Sequence, residues 1–298
     1  MIDVSIIIVS YNTQDFLKEC LTAVFTRVSK ELHYEVIVVD NNSKDDSIKM
    51  VRKSFPQVHT IVNNENLGFS KANNIGVAVA KGRYMLFLNS DAILRAKTLE
   101  EMIRFMDNHA DAGAATCKVE LPDGQIDDAS HRGFPTPWNS FCHFSGISKV
   151  FPNSLFLNGY NLGWKDLGKI HEIDALAGAF MIVRWEAGEQ IGWWDEDYFF
   201  YGEDLDFCYM LKKKGWKIYY VPTVSLLHYK GVSGGIKQVS KDVTSADKET
   251  KLRTTDARFD AMRIFYKKHY KNVYPGFVTS MVTNGINLLY ILSRRKYQ

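Results

Sequence analysis

The feature that most constrains the fold is a series of short apolar runs separated by segments with helical spacing. The runs are "VSIIIVS" (4–10), "EVIVVD" (35–40), "HTIVN" (59–63) and "RYMLFLN" (83–89). They are rich in β-branched residues and nearly continuous, as strands buried on both faces are. Apolar residues recur at helical spacing across 13–28, between the first two runs. This alternation predicts an α/β fold with a mostly parallel central sheet flanked by helices.

Two glycines suggest where further helices end. We expect a helix over 70–82 closed by Gly82 and another over 97–113 closed near Gly113. Residues 122–175 contain four prolines and no sustained period. This stretch predicts long loops over one edge of the domain.

The second half of the chain resumes a strand pattern. Residues 173–185 predict one strand, and 216–231 predict one or two strands broken at Pro222. Beyond about residue 241 the pattern is helical and interrupted at Pro275. After Pro275, about 16 residues form an amphipathic stretch shorter than the ~20 that span a bilayer. This stretch could lie on a membrane, on the protein itself or against a partner in a homodimer.

Size and cysteine content limit the classes of protein. The chain has 298 residues, 46% of them hydrophobic, which suits one large domain with an appendage or two ordinary domains. Its four cysteines are far apart and form no CxxC pair, so we expect neither a zinc site nor a disulfide framework. No basic residue precedes the first apolar run, so a signal peptide is not predicted and we expect a cytoplasmic protein.

Charge is distributed unevenly along the chain. Residues 241–298 carry 12 Lys and Arg against 5 Asp and Glu, whereas the first 240 residues carry a net charge of −4. The net charge of +3 argues against nucleic acid as a partner. A basic tail on a mildly acidic body favours peripheral contact with anionic phospholipid, although a solvated basic face would give the same pattern.

Polar residues follow the predicted strands at the edge where α/β sheets bind ligands. They are Ser10, Tyr11 and Asn12 after the first strand, Asp40 and Asn42 after the second, and Asn89, Ser90 and Asp91 after the fourth. No glycine-rich turn follows the first strand, so a bound pyrophosphate would need another source of positive charge. A divalent cation held by Asp91 would supply it.

A second group of polar residues lies in "YFFYGEDLDFCYMLKKKG" (198–215). Glu203, Asp204 and Asp206 could be a metal site, a catalytic pair or the acidic first turn of a helix that ends in lysines. The helix also carries apolar residues that predict burial, and a buried acid needs a partner or a task. Trp193, Trp194, Tyr198 and Tyr201 nearby could stack on the faces of sugars.

The order of these segments resembles the family-2 glycosyltransferases of the GT-A fold, especially their rhamnosyltransferase-like branch. The segments that carry the resemblance are "VSYN", "VVDNNSKDDS", "NENLGFSKANNIG", "LFLNSDA", "GAFMIVRW", "GWWDEDYFFYGEDLDFCYMLKKKGW" and "VPTVSLLHYKGVSGG". The resemblance implies a GT-A domain over 1–240, with a donor half to about residue 120 and an acceptor half after it. The basic helical extension 241–298 lies outside it.

The resemblance also implies a reaction. A sugar would pass, with inversion, from a nucleotide sugar to a hydroxyl of a polysaccharide or lipid-linked saccharide. The rhamnosyltransferase-like branch favours dTDP-L-rhamnose, with UDP-hexoses or UDP-galactofuranose as alternatives.

Site roles follow residue by residue from the resemblance. Tyr11, Asn12 and Asp40 match positions that recognise the nucleoside, and Asn66, Gly68, Phe69 and Asn73 match the lining of the donor pocket. Asp91 matches the last acid of the metal-binding DxD motif, whose first acid is Asn89 here, and His228 matches a position that completes binding of Mn²⁺ or Mg²⁺, or of diphosphate. Asp204 matches the general base, and Glu203 would assist it.

Two other classes remain open from the sequence. "GVSGG" (231–235) fits the GxSxG pattern of serine hydrolases, with Ser233 as nucleophile and His269 as the only downstream histidine for a triad. The altered DxD motif would also suit a domain that binds a nucleotide sugar without catalysis.

Overall fold

The computed structural model describes residues 2–231 and 248–296, and nine strands in these ranges form one sheet. The strands are β1 (Ile2–Ser10), β2 (Tyr34–Asp40), β3 (His59–Val62), β4 (Gly82–Leu88), β5 (Ala92–Leu94), β6 (Ala112–Glu120), β7 (His171–Ile173), β8 (Phe180–Arg184) and β9 (Lys217–His228). Their order is β3-β2-β1-β4-β8-β6-β9-β5, and β7 also pairs with β9. The four predicted apolar runs are therefore confirmed as β1 to β4.

Helices flank this sheet, and ten of them lie in the described ranges. They are α1 (Gln14–Arg27), α2 (Ser47–Ser54), α3 (Phe69–Val77), α4 (Thr98–Asn108), α5 (Pro137–Phe144), α6 (Ile147–Val150), α7 (Trp185–Ile191), α8 (Glu203–Lys213), α9 (Lys248–His269) and α10 (Gly276–Arg294). The tail is helical and Pro275 directly precedes α10, as predicted.

The core lies on both faces of the sheet, because side chains alternate along each buried strand. On one face Ile6 and Ile8 pack with α1 and α4. On the other, Ile7 packs with α3, α7 and α8. The protein therefore has three layers, and the carboxyl ends of β1, β2 and β4 meet at one edge.

The sheet is mixed, so the prediction of a mostly parallel sheet holds only for β1 to β4 and for the pair of β6 and β9. β1 to β4 pair in parallel, but β8 runs antiparallel to both β4 and β6. The segment between β6 and β8 starts and finishes at the carboxyl edge. Because β6 ends at this edge and β8 begins there, β8 must run in the direction opposite to β6.

Two predicted helix ends are wrong, because the glycines serve strands instead. α3 ends at Val77, and Gly82 begins β4. A side chain at Gly82 would meet the backbone of Val4 and Ser5, so glycine allows β4 to approach β1. α4 ends at Asn108, and Gly113 lies in β6 against the Trp216 ring.

Pro222 does not break its strand. β9 continues across it, and the register opposite β6 shifts between Cys117 and Lys118. A bulge there accommodates a residue that cannot donate to the ladder.

The tail packs onto the α/β body through α9. Phe265, Tyr266 and Tyr270 form a small apolar cluster with side chains from α8 and from the loop before α5. α10 packs against α9. No helix in the described ranges is both long and apolar enough to cross a membrane.

Candidate active site

A cavity of about 1210 Å³ opens at the carboxyl edge of the sheet and extends between α5 and the tail helices. Among the predicted site residues, those that line it are Tyr11, Asn66, Gly68, Phe69, Asn89, Ser90, Asp91, Tyr201, Glu203, Asp204 and His228. Those that do not line it are Ser10, Asn12, Asp40, Asn42, Asn73, Trp193, Trp194 and Tyr198. The structure therefore brings the predicted donor and base residues to one cavity, with some of their neighbours behind it.

The ends of β1 and β4 are tied together below the cavity. Ser10 Oγ lies 3.1 Å from Thr13 Oγ1, which donates to Ser90 Oγ at 3.0 Å. Ser10 and Thr13 are buried. Ser10 therefore holds the strand ends in place and does not itself reach the cavity.

The end of β2 holds a carboxylate with spare bonding capacity. Asp40 is 1% exposed, and its Oδ2 accepts from the Ser43 amide at 2.9 Å. Its Oδ1 has no hydrogen-bond partner among the described residues. Nearby, Asn12 and Asn42 have left-handed backbones, and the Asn12 side chain accepts from the Lys44 amide. These asparagines shape the loops around Asp40, whose Oδ1 can still accept a hydrogen bond.

The segment before α3 is fixed to the segment before α8. The Phe69 amide donates to the Phe199 carbonyl at 2.8 Å. Gly68 has φ +83°, and a side chain there would meet the Phe199 backbone. Asn41 donates to the Gly68 carbonyl at 2.9 Å, and buried Asn73 donates to the Phe69 carbonyl. Asn73 therefore stabilises this turn, whereas Asn41, which the sequence did not single out, lines the cavity.

A charged cluster joins the end of β4 to the end of β9. His228 Nε2 lies 3.3 Å from Asp91 Oδ1 and 3.3 Å from Asn89 Nδ2. On the other side of the ring, Nδ1 lies 3.4 Å from Asp127 Oδ2. Burial disfavours the charged imidazole, but Asp91 and Asp127 outweigh it and raise the pKa of His228 to about 9.

Asp127 is also paired with Lys230, at 2.5 Å. Burial disfavours ionisation of Asp127, but His228 and Lys230 outweigh it and hold its pKa well below the usual range. Asp127 thus orients the His228 ring, in the way that carboxylates orient metal-binding histidines.

No group of three or more His, Cys, Asp or Glu side chains within the described ranges is placed to hold a metal ion. Asp91 and His228 Nε2 nevertheless face each other at the cavity wall, with the Asn89 amide beside them. A cation there would be held by Asp91, with substrate phosphate and water filling its remaining positions, and His228 would have to release its Nε2 proton to become a ligand.

The opposite wall begins with α8. Gly202 precedes it in a left-handed conformation, and Asp204 stands in its first turn. Arg132 Nη2 donates to Asp204 Oδ2 at 2.5 Å, and the two side chains are only 12% and 14% exposed. The loop that carries Arg132 is fixed by a backbone bridge to Ala175. A buried guanidinium therefore holds the Asp204 carboxyl in a set orientation.

Glu203 differs from its neighbour. It is 8% exposed, and its Oε2 has no partner in the part of the chain that the structure describes. Burial, and then the charge of Asp204, raise the pKa of Glu203 to about 8. Glu203 is therefore mainly protonated at neutral pH.

Asp206 faces away from the cavity, towards α9. Its Oδ1 accepts from His269 Nε2 at 2.6 Å and from the Tyr198 hydroxyl at 3.2 Å, and its Oδ2 pairs with Lys268 at 2.8 Å. Burial disfavours ionisation of Asp206, but His269 and Lys268 outweigh it and lower its pKa. Of the three acids in "GEDLD", one thus anchors the helix to the tail.

The structure contradicts the acceptor roles expected for Trp194 and Tyr198. Trp194 is 2% exposed and packs against Phe87 and Phe207, and Tyr198 is 1% exposed. Trp193 packs against Trp185. Burial leaves the faces of Trp194 and Tyr198 unavailable to a sugar, and Trp193 is partly buried and does not line the cavity. Tyr201 alone of the four lines the cavity.

Other parts of the cavity wall were not predicted. Arg132 and Asp127 lie in the proline-rich segment, which shows no periodicity, and the tail supplies a wall through α9 and α10. Ser233, the nucleophile of the hydrolase alternative, lies outside the described residues.

Comparison with known proteins decides the family. The family model "Glycosyl transferase family 2" matches residues 5–163. The rhamnosyltransferase WbbL of Escherichia coli K12 is 30% identical over 236 residues, covering 76% of this chain and 83% of that protein.

The chain is a family 2 glycosyltransferase.

A second relative points to the same branch. The N-acetylglucosaminyl-diphospho-decaprenol L-rhamnosyltransferase of Mycobacterium tuberculosis is 25% identical over 241 residues, which are 77% of this chain and 77% of that protein. The glycosyltransferase is thus similar to two rhamnosyltransferases over most of its length.

Solved structures show the fold. A crystal structure of GalNAc-T7 with UDP, GalNAc and Mn²⁺ aligns with a TM-score of 0.59 at 15% identity, covering 96% of this chain and 55% of that one. S. aureus TarS aligns with a TM-score of 0.54 at 14% identity, covering 91% and 74%. The glycosyltransferase therefore has the GT-A fold, whose members typically use a divalent cation.

Proposed function

We propose that this glycosyltransferase moves rhamnose, with inversion, from dTDP-L-rhamnose to a hydroxyl of a polysaccharide or lipid-linked saccharide. The observation that carries the mechanism is the pair of Asp204 and Arg132 at the wall of the cavity, opposite the cluster of Asp91 and His228. The choice of rhamnose is supported by the names of the two relatives. A UDP-hexose or UDP-galactofuranose is the alternative donor.

Asp204 is the general base in this proposal. The acceptor oxygen bonds to the anomeric carbon as the bond from that carbon to the diphosphate breaks, and Asp204 takes the hydroxyl proton. General-base help of this kind typically contributes about 10²–10⁴-fold. Glu203 is mainly protonated at neutral pH, so it cannot share this role and instead acts as a buried neutral neighbour.

The other wall of the cavity serves the leaving diphosphate. Asp91 and His228 would hold Mn²⁺ or Mg²⁺ together with the donor's phosphate oxygens, and Asp127 would orient the His228 ring. When bound, such a cation supplies Lewis-acid stabilisation of the diphosphate. Lys230 lines the same wall and adds positive charge there.

The nucleoside would lie at the ends of β1 and β2. Tyr11 and Asn66 line that part of the cavity, and Asp40 behind them has an oxygen without a partner among the described residues that would accept from a pyrimidine N–H. Gly68 and Phe69 complete this wall through their link to Phe199.

The test is transfer from dTDP-L-rhamnose to an acceptor, measured for the wild type and Asp204→Asn. We expect the variant to lose about 10²–10⁴-fold in kcat. Asp174→Asn is the matched control, because Asp174 pairs with Lys212 of the same helix at 2.9 Å and does not line the cavity.

Retention of most activity by Asp204→Asn would overturn the assignment of the base. A wild type that binds the donor but neither transfers nor hydrolyses it would favour the non-catalytic binding domain instead. Activity with UDP-hexoses alone would keep the mechanism and replace the donor.

A further inference from the structure

The mouth of the cavity is built from two segments far apart in sequence. Five apolar residues both line the cavity and are 42–71% exposed. They are Trp138, Phe141 and Phe144 of α5, and Phe277 and Met281 of α10. We call these five residues the cavity rim. Residues that line the cavity and are also exposed to solvent mark the place where the cavity opens to solvent.

The apolar surface continues beyond the rim on both sides. On the α5 side, Val150, Phe151, Leu155 and Phe156 are 52–71% exposed, and the Trp138 and Phe156 rings are 5.0 Å apart. On α10, Leu288, Ile291 and Leu292 are 49–59% exposed. Spacing of three, four and seven residues places them on the same helix face as Phe277 and Met281. Contiguous apolar surface of this kind marks an interaction site.

Both segments lack acidic residues. Residues 129–165 contain no Asp or Glu, and their lysines are Lys149 and Lys165, whereas Arg132 is buried against Asp204. Residues 261–298 contain no Asp or Glu and seven Lys or Arg, of which Arg263 and Lys268 are paired with acids. Lys149 is exposed beside Val150, and Arg295 and Lys296 are exposed at the end of α10. An anionic bilayer is bound by apolar side chains with basic residues beside them, which is the pattern seen here. A protein partner would not by itself require basic residues at the edge of the surface.

We propose that the α5 side and α10 together form one docking surface for an anionic phospholipid bilayer, with the cavity rim at its centre. The basic tail alone had suggested membrane contact, and the structure adds a second, separately encoded half. Trp and Phe at the rim would sit at the headgroup level, where aromatic residues are enriched in membrane proteins. On the proposed function, on which this last step rests, the acceptor would then reach Asp204 from the lipid side.

The test is co-sedimentation of the full chain with vesicles of phosphatidylcholine containing phosphatidylglycerol, without donor or acceptor. Two double variants change each half separately: Phe151→Ser with Leu155→Ser, and Leu288→Ser with Leu292→Ser. None of these four residues lines the cavity. The matched control is Val62→Ser, which replaces a residue 47% exposed on β3.

We expect wild type and Val62→Ser to bind these vesicles, and each double variant to bind about tenfold more weakly or worse. High salt should weaken wild-type binding, because it screens the basic residues. Exposed positions tolerate polar substitution, so thermal midpoints should stay close to the wild-type value and exclude unfolding as the cause.

Three outcomes would overturn the proposal. The first is a wild type that does not sediment with the vesicles. The second is loss of binding in the α10 variant alone, which would mean that the tail acts by itself. The third is that the double variants change a dimer to a monomer in size-exclusion chromatography without changing vesicle binding, which would assign the surface to a second copy of the chain. Because no sugar is transferred in the assay, none of these outcomes depends on the proposed function.

Discussion

Glu203 and Asp204 are neighbours in sequence, yet the fold gives them opposite electrostatic surroundings. Asp204 faces the Arg132 guanidinium, whereas Glu203 is buried with one oxygen unpaired among the described residues. A charge without a partner is costly in the interior, so burial raises the pKa of Glu203. The sequence "GED" shows two acids, and only their surroundings separate the proposed base from its buried neighbour.

Replacing Glu203 with glutamine should change how stability depends on pH. The pKa of Glu203 is about 8 in the folded protein, against an ordinary 4.5. Between those values the unfolded chain releases a proton that the folded chain retains, so stability falls as pH rises. We therefore expect the thermal midpoint of Glu203→Gln, relative to wild type, to rise between pH 5 and pH 8 by several degrees.

Glu186→Gln provides the comparison, because Glu186 stands in the exposed first turn of α7. Thermal midpoints of all three proteins would be measured by differential scanning calorimetry across this range. A gap between Glu203→Gln and wild type that stays constant with pH would contradict a protonated Glu203.

Single residues were predictable where their position in an element defines them. Asp91 follows a strand and Asp204 begins a helix, so both could be placed at the cavity from sequence. Arg132 and Asp127 could not, because they reach the site through a loop without regular spacing. The acceptor role predicted for Trp194 and Tyr198 was wrong for a related reason. Whether an aromatic ring is exposed to solvent depends on packing between elements, which the sequence does not show.

At the scale of elements, α8 is held from two sides. Its first turn faces the cavity through Asp204, and Asp206 binds His269 and Lys268 of α9. Asp206 is 2% exposed, so this connection is shielded from water. The helix that carries Asp204 is therefore positioned partly by the tail.

Asp206→Asn should loosen the tail. Removing one partner from a buried charged cluster costs about 3–5 kcal/mol in the general case, and we expect somewhat less here because Lys268 also pairs with Asp195. Thermal unfolding and hydrogen exchange across 248–269 would measure the effect. Asp260→Asn is the control, because its pair with Arg263 lies on the surface of the same helix. Equal stability of the two variants would show that the α8 contact does not hold α9.

The elements themselves were predicted unevenly. β1 to β4 could be located because each is a continuous apolar run whose burial shows in its own residues. The direction of β8 could not, because it depends on where the preceding loop returns to the sheet. Gly82 and Gly113 misled the prediction of helix ends because close packing between strands and rings, and not chain reversal, requires them.

At the scale of the whole molecule, the cavity is lined by residues from the sheet edge, α5, α8 and the tail helices, so ligand binding should stabilise the contacts between them. We expect dTDP-L-rhamnose with Mn²⁺ to raise the thermal midpoint more than UDP-glucose with Mn²⁺. A ligand at a hundredfold excess over its Kd contributes about 2.7 kcal/mol. Asp91→Asn should lose the part of the shift that depends on Mn²⁺.

Thermal shift in the presence and absence of chelator checks this expectation. A shift that excess chelator leaves unchanged would argue that His228 and Lys230 neutralise the diphosphate without a cation. A larger rise of the thermal midpoint with a UDP sugar than with dTDP-L-rhamnose would indicate that the donor is a UDP sugar.

The position of the tail in the cavity wall also bears on how the protein is made. Domains fold broadly from the N-terminus while synthesis proceeds. β1 to β4 and their helices, which carry the proposed donor wall, leave the ribosome long before α9 and α10. We therefore expect a nascent chain to acquire the nucleotide-binding wall first, and to complete the acceptor wall, together with the anchor of α8, only when its last helices emerge.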